Sequence, residues 1–113
     1  MPRAPTDPAR AVLRKHAGAW LKAAREAAGL TQAELAEKVG LRYYTFVSQV
    51  ESGHGRVPIE TQAAWAKAVG VDETEFARML LGLYDPELYR LLFGEEPAVD
   101  DDSNSNSRRA AGA

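Results

Sequence analysis

An all-α fold, a compact bundle of five to six helices, is what this sequence predicts, and three observations lead to it. Apolar side chains recur at helical spacing in several separate stretches, as in Phe76, Met79, Leu80 and Leu83. The stretches open on capping signals: Thr31 precedes Glu34 by three residues, Asp72 precedes Glu75 likewise, and Asp85-Pro86 sets a cap ahead of a first-turn proline. They close on glycine, at Gly40, Gly70 and Gly94.

In chain order, Asp7-Pro8 starts a helix near Ala9 that continues to Ala28 through Val12, Leu13, Trp20, Leu21 and Ala24. Gly18 weakens it midway, which leaves open either one long helix or a short arm helix followed by another from about Ala17. A two-turn helix follows from Thr31, with Leu35, Ala36 and Val39 on one side. Phe46, Val47 and Val50 mark a further helix that begins near Tyr43 and stops at Ser52-Gly53; the small Ala36 lets the two approach closely, in helix-turn-helix geometry. Residues 53 to 58 read as a loop. Ile59, Ala63, Ala66 and Val69 give the next helix, Phe76 to Leu83 the one after, and Leu88, Leu91, Leu92 and Phe93 line a last short one. Residues 95 to 113, rich in Asp, Ser and Asn, cannot bury enough surface to offset chain entropy and are expected to be a disordered acidic tail. The expected organisation is an N-terminal arm or helix extension (1–16), a helix-turn-helix domain (17–71), C-terminal helices serving dimerisation or partner contact (72–94), and the tail.

A chain of 113 residues holds one small domain plus tails, large enough to be stable without metal or disulfide. It contains no cysteine, which fits a reducing compartment. There is no run of about 18 apolar residues, and the polar start Met1-Pro2-Arg3-Ala4-Pro5 lacks a secretory-signal pattern. A soluble cytoplasmic protein with no membrane partner is expected. The formal net charge of −2 hides a gradient. Residues 1 to 57 carry nine basic side chains against five acidic ones, and residues 58 to 94 reverse this with three against six. Because phosphate neutralisation is local, the basic N-terminal half can meet a nucleic-acid duplex with strong salt dependence.

The residues Arg25, Gly29, Thr31, Gln32, Leu35, Ala36, Val47, Ser48, Val50, Glu51, Gly53 and Pro58 stand in the order of one known pattern. Over roughly residues 17 to 71 the chain resembles the lambda repressor and Cro type (XRE-family) helix-turn-helix domain. The string Tyr43-Tyr44-Thr45-Phe46-Val47-Ser48-Gln49 is also similar to a branch of short regulators from high-GC bacteria. The resemblance implies a lambda repressor-like DNA-binding domain whose helix around residues 43–52 enters the major groove of double-stranded DNA. Tyr44, Thr45, Ser48 and Gln49 are then the expected base readers: Gln49 suits adenine, Thr45 offers a methyl to thymine, and Ser48 serves either base. Gln32, Arg42, Tyr43 and Arg56 are expected on phosphates, where they fix position and not sequence. For Tyr43 and Tyr44 the alternative is that one packs under the turn as core. Arg25 and Glu51 correspond to a partly buried structural ion pair in the family, and neither is expected to read a base.

Two departures from the family stand out. One extra residue lies within Gly40-Leu41-Arg42-Tyr43, which unsettles the start of the recognition helix, and Ile59 stands where some members carry a basic residue directed at the minor groove.

Phe76, Met79, Leu80, Leu83, Tyr84, Leu88, Leu91 and Leu92 are too many large apolar groups for the outside of so small a domain. A homodimer on a palindromic site is the simplest cover for them, with recognition helices about 34 Å apart. The alternative is that they complete the monomer core against Leu13, Trp20 and Trp65. A transcriptional regulator in the bacterial cytoplasm, on the nucleoid when bound, is the resulting expectation. An antitoxin-like or RNA-polymerase-binding interaction protein is the competing one. Enzyme chemistry finds poor support: His16 and His54 lack ligand or base spacing, Ser48 has no activating partner, and Asp100 to Asp102 reads as solvated tail. No catalytic residue, metal or cofactor is expected.

Overall fold

The computed structural model describes residues 8–97, and among them every regular element is helical. The order is α1 (Pro8–Ala27), α2 (Gln32–Lys38), α3 (Thr45–Glu51), a single 3-10 turn (Ile59–Thr61), α4 (Gln62–Val69), α5 (Glu73–Tyr84) and α6 (Pro86–Phe93). The all-α bundle is as expected. Residues 1–7, and the part of the acidic tail from residue 98, lie outside the described residues.

The caps do what the sequence spacing requires. The Thr31 hydroxyl accepts from the Glu34 N–H at 3.0 Å, and the Glu34 carboxylate accepts from the Thr31 N–H at 2.8 Å, so each satisfies a donor that the first turn of α2 leaves free. At the other end Gly40 takes a left-handed φ of +80°, which lets the Leu41 N–H donate to the Ala36 carbonyl at 2.8 Å and turns the Leu41 side chain toward the core. The same bond, from the residue after a left-handed glycine to the carbonyl five positions back, closes α1, α3 and α4.

One question left open by the sequence has a definite answer: α1 is a single helix through Gly18. A Cβ at Gly18 would lie 2.2 Å from the Glu51 carbonyl oxygen, so the absent side chain is what allows α3 to end against α1. Around that contact Ala17, Leu21, Leu35, Val47, Val50 and Trp65 close a buried core that continues through Phe76, Leu80 and Leu83 of α5. The Trp20 and Phe76 rings meet at 5.5 Å, tilted by 56°.

The expected partner interface is corrected by this packing. Phe76, Leu80, Leu83 and Tyr84 are buried within the monomer because α5 lies along α1 and α4, with Trp20 and Trp65 supplying the opposing surface. Met79 is half-buried. Of the two C-terminal helices it is α6 that leaves large apolar groups in solvent: Leu88, Leu91, Leu92 and Phe93 are exposed, while its Tyr89 is buried. Ion pairs hold the start of α6 to the bundle, Arg10 to Glu87 at 2.6 Å and Arg56 to Asp85 at 2.7 Å. No described helix is long and apolar enough to cross a membrane.

Candidate nucleic-acid interface

Six residues, Val39 to Tyr44, separate α2 from α3. Tyr44 occupies the cap position of α3 without a side-chain capping bond, and the helix proper begins at Thr45. The expected start near Tyr43 is therefore moved two residues on: the extra residue lengthens the turn and not the helix. Val47 and Val50 point into the core, and Phe46 is half-buried against it. By helical geometry the opposite face carries Thr45, Ser48, Gln49 and Ser52, all exposed.

Of the expected base readers, Tyr44, Thr45, Ser48 and Gln49 come together at this face, and among the described residues none uses its side-chain polar atoms in a hydrogen bond within the chain. Tyr43 and Tyr44 are 66% and 53% exposed, which overturns the alternative that one of them packs as core. Arg42 is exposed beside them, its guanidinium carbon 6.0 Å from the centre of the Tyr43 ring.

The other two residues expected on phosphates have partners inside the chain. The Gln32 amide donates to Glu51 Oε1 at 3.0 Å. Arg56 donates to Asp85 Oδ2 at 2.7 Å and lies 4.5 Å over the Tyr84 ring, and the adjacent Val57 N–H donates to the Tyr84 hydroxyl at 3.2 Å. Ile59 is 78% exposed at the start of the 3-10 turn.

Arg25 and Glu51 form the brace under α3. Arg25 Nε donates to Glu51 Oε2 at 2.6 Å, Nη2 to Oε1 at 3.1 Å, and Nη1 to the Leu30 carbonyl at 2.7 Å. The two side chains are only 9% and 4% exposed. With Gln32 included, one carboxylate joins α1, α2 and the end of α3. The Glu51 hydrogen bonds hold the Arg25 guanidinium in its charged form more firmly than usual, against the opposing effect of burial. No buried side-chain polar atom among the described residues is left unpaired.

The sequence reading missed Gln32 as part of this brace and the Arg56–Asp85–Tyr84 clamp. Neither has a local signal, since the partners are 19, 29 and 28 positions apart, respectively, and meet only through packing. Among the described residues no group of three or more His, Asp or Glu side chains is placed to hold a metal ion.

A short helix braced by a buried ion pair, joined by a six-residue turn to the helix behind it and presenting its outer face to solvent, is a helix-turn-helix, a DNA-binding device by class. A family model described as a helix-turn-helix domain matches residues 16–79, from the middle of α1 into α5. The chain belongs to this helix-turn-helix family. No curated protein matches it.

Proposed function

We propose that the protein is a sequence-specific transcriptional regulator of the lambda repressor and Cro (XRE) type, acting on double-stranded DNA in the bacterial cytoplasm. The observation that carries this reading is the outer face of α3, where Thr45, Ser48 and Gln49, with Tyr44 at its leading end, are exposed and uncommitted while Val47 and Val50 on the inner face are buried. Laid in the major groove, α3 directs Gln49 to an adenine edge and Thr45 and Ser48 to neighbouring bases. Arg42 and Tyr43 contact phosphates at the turn. Arg56 and Gln32 act chiefly through their partners in the chain, Arg56 reaching phosphate with its remaining donors. Catalysis plays no part in this reading.

The exposed α6 residues Leu88, Leu91 and Leu92 support a homodimer on a palindromic site. The same surface is what an antitoxin-like or RNA-polymerase-binding protein would use. Selection of duplexes from a random library followed by fluorescence anisotropy tests the central reading. The expected result is a defined site, with affinity falling steeply as salt rises, and a loss of about 1 to 3 kcal/mol of discrimination at one adenine in Gln49→Ala. Failure to enrich any duplex at low salt sinks the proposal.

A further inference from the structure

We propose that the groove beside the leading end of α3 is a slot for the C5-methyl group of a pyrimidine, thymine or 5-methylcytosine, with Tyr44 as its closing wall. This deepens the DNA-reading proposal and rests on it. The groove measures about 300 Å³ and runs between α2 and the turn. Its lining is Ala33, Ala36, Glu37, Leu41 and Arg42 together with the Tyr43 and Tyr44 rings. Ala36 and Leu41 belong to the apolar core and its margin, so the floor offers methyl and methylene groups. Both rings stand in solvent, with no ring packed on either among the described residues. Glu37 and Arg42 bring charge to the lining, so its apolar part is the strip between Ala36, Leu41 and the two exposed rings, which suits a small apolar group.

The position decides which occupant. Tyr44 both lines the groove and holds the cap position of α3, so the groove adjoins the leading end of the exposed face. In a DNA major groove the one apolar group on the base edges is the C5-methyl of thymine; cytosine acquires the same group when methylated. Uracil lacks it while keeping thymine's pairing edge. The slot therefore reads the methyl group separately from the hydrogen bonds that Gln49 and Ser48 would make.

The test uses the full chain and a duplex selected from a random library, in which each thymine is replaced singly by uracil. The expected result is a loss of about fourfold in affinity at one or two positions, the equivalent of one buried methyl-sized group. Tyr44→Ala should bind the thymine and uracil duplexes alike, while Tyr44→Phe, which keeps the ring, should retain the discrimination. Placing 5-methylcytosine for cytosine at the sensitive position of a cytosine-substituted duplex should recover a similar factor. Wild-type protein that binds thymine and uracil duplexes equally at every position overturns the slot alone. So does Tyr44→Ala that still discriminates, which would place the rings against sugar and phosphate. If no duplex is selected, the DNA reading falls and the slot falls with it.

Discussion

Glu51 is the residue on which most of the site depends. Its carboxylate takes two bonds from Arg25 and one from Gln32 with almost no solvent access, so removing it leaves a buried guanidinium with the Leu30 carbonyl as its remaining close acceptor. We predict that Glu51→Ala destabilises the fold by about 3 to 5 kcal/mol, read from urea unfolding midpoints; a loss below 1 kcal/mol would mean that the pair is idle. Tyr84 gives a second residue-scale expectation. Burial pushes its phenol above the ordinary value near 10, with the Val57 N–H and the Arg56 guanidinium pulling the other way. The fold favours the neutral phenol, so this contribution to stability is complete below the ordinary value and is lost as pH rises through Tyr84's own elevated value. Tyr84→Phe should remove that alkaline decline in melting temperature while costing about 1 kcal/mol near neutrality, because the Val57 N–H loses its acceptor. An unchanged alkaline slope in the variant would refute the assignment.

At the scale of the element, the helix starts were legible where the signal is local. The Thr31 and Glu34 pair lies within one turn, and its spacing alone specifies the two bonds that open α2. Thr31→Ala is expected to cost about 1 kcal/mol, measurable as a shifted denaturation midpoint. Gly18 shows the opposite case. By propensity it reads as a weak point in a helix, yet its lack of a Cβ is what admits the end of α3 against α1. Replacement by alanine, which raises helix propensity, should therefore destabilise by at least about 1 to 3 kcal/mol through overpacking. A stabilised Gly18→Ala protein would show that α3 can move aside freely. The start of α3 was misplaced by two residues for a related reason: a turn's length depends on where both flanking helices dock.

On the scale of the whole molecule, the apolar surplus of the C-terminal half divides in two. The α5 residues finish the monomer core, and α6 keeps Leu91 and Leu92 at 78% and 60% exposure. If α6 joins two copies, Leu91→Ser with Leu92→Ser should turn a dimer into a monomer in sedimentation equilibrium. The melting temperature measured at high dilution should not change, since neither side chain supports the monomer. A dimer that survives both substitutions would move the interface elsewhere. The α6 start also places Asp85 and Glu87 on Arg56 and Arg10, so part of the basic charge counted in the N-terminal half is neutralised within the fold.

By itself the sequence determined the helical class, most helix boundaries and the helix-turn-helix with its polar outer face. Capping, periodicity and glycine stops act over three to five residues, and such signals survive in one dimension. Tertiary structure alone decided that α1 is continuous, that Phe76, Leu80, Leu83 and Tyr84 of α5 belong to the core, and that Gln32 and Arg56 are tied to Glu51 and Asp85. Those outcomes depend on which surfaces meet across 19 to 56 positions of chain, and residue type does not encode a meeting place until the helices have packed.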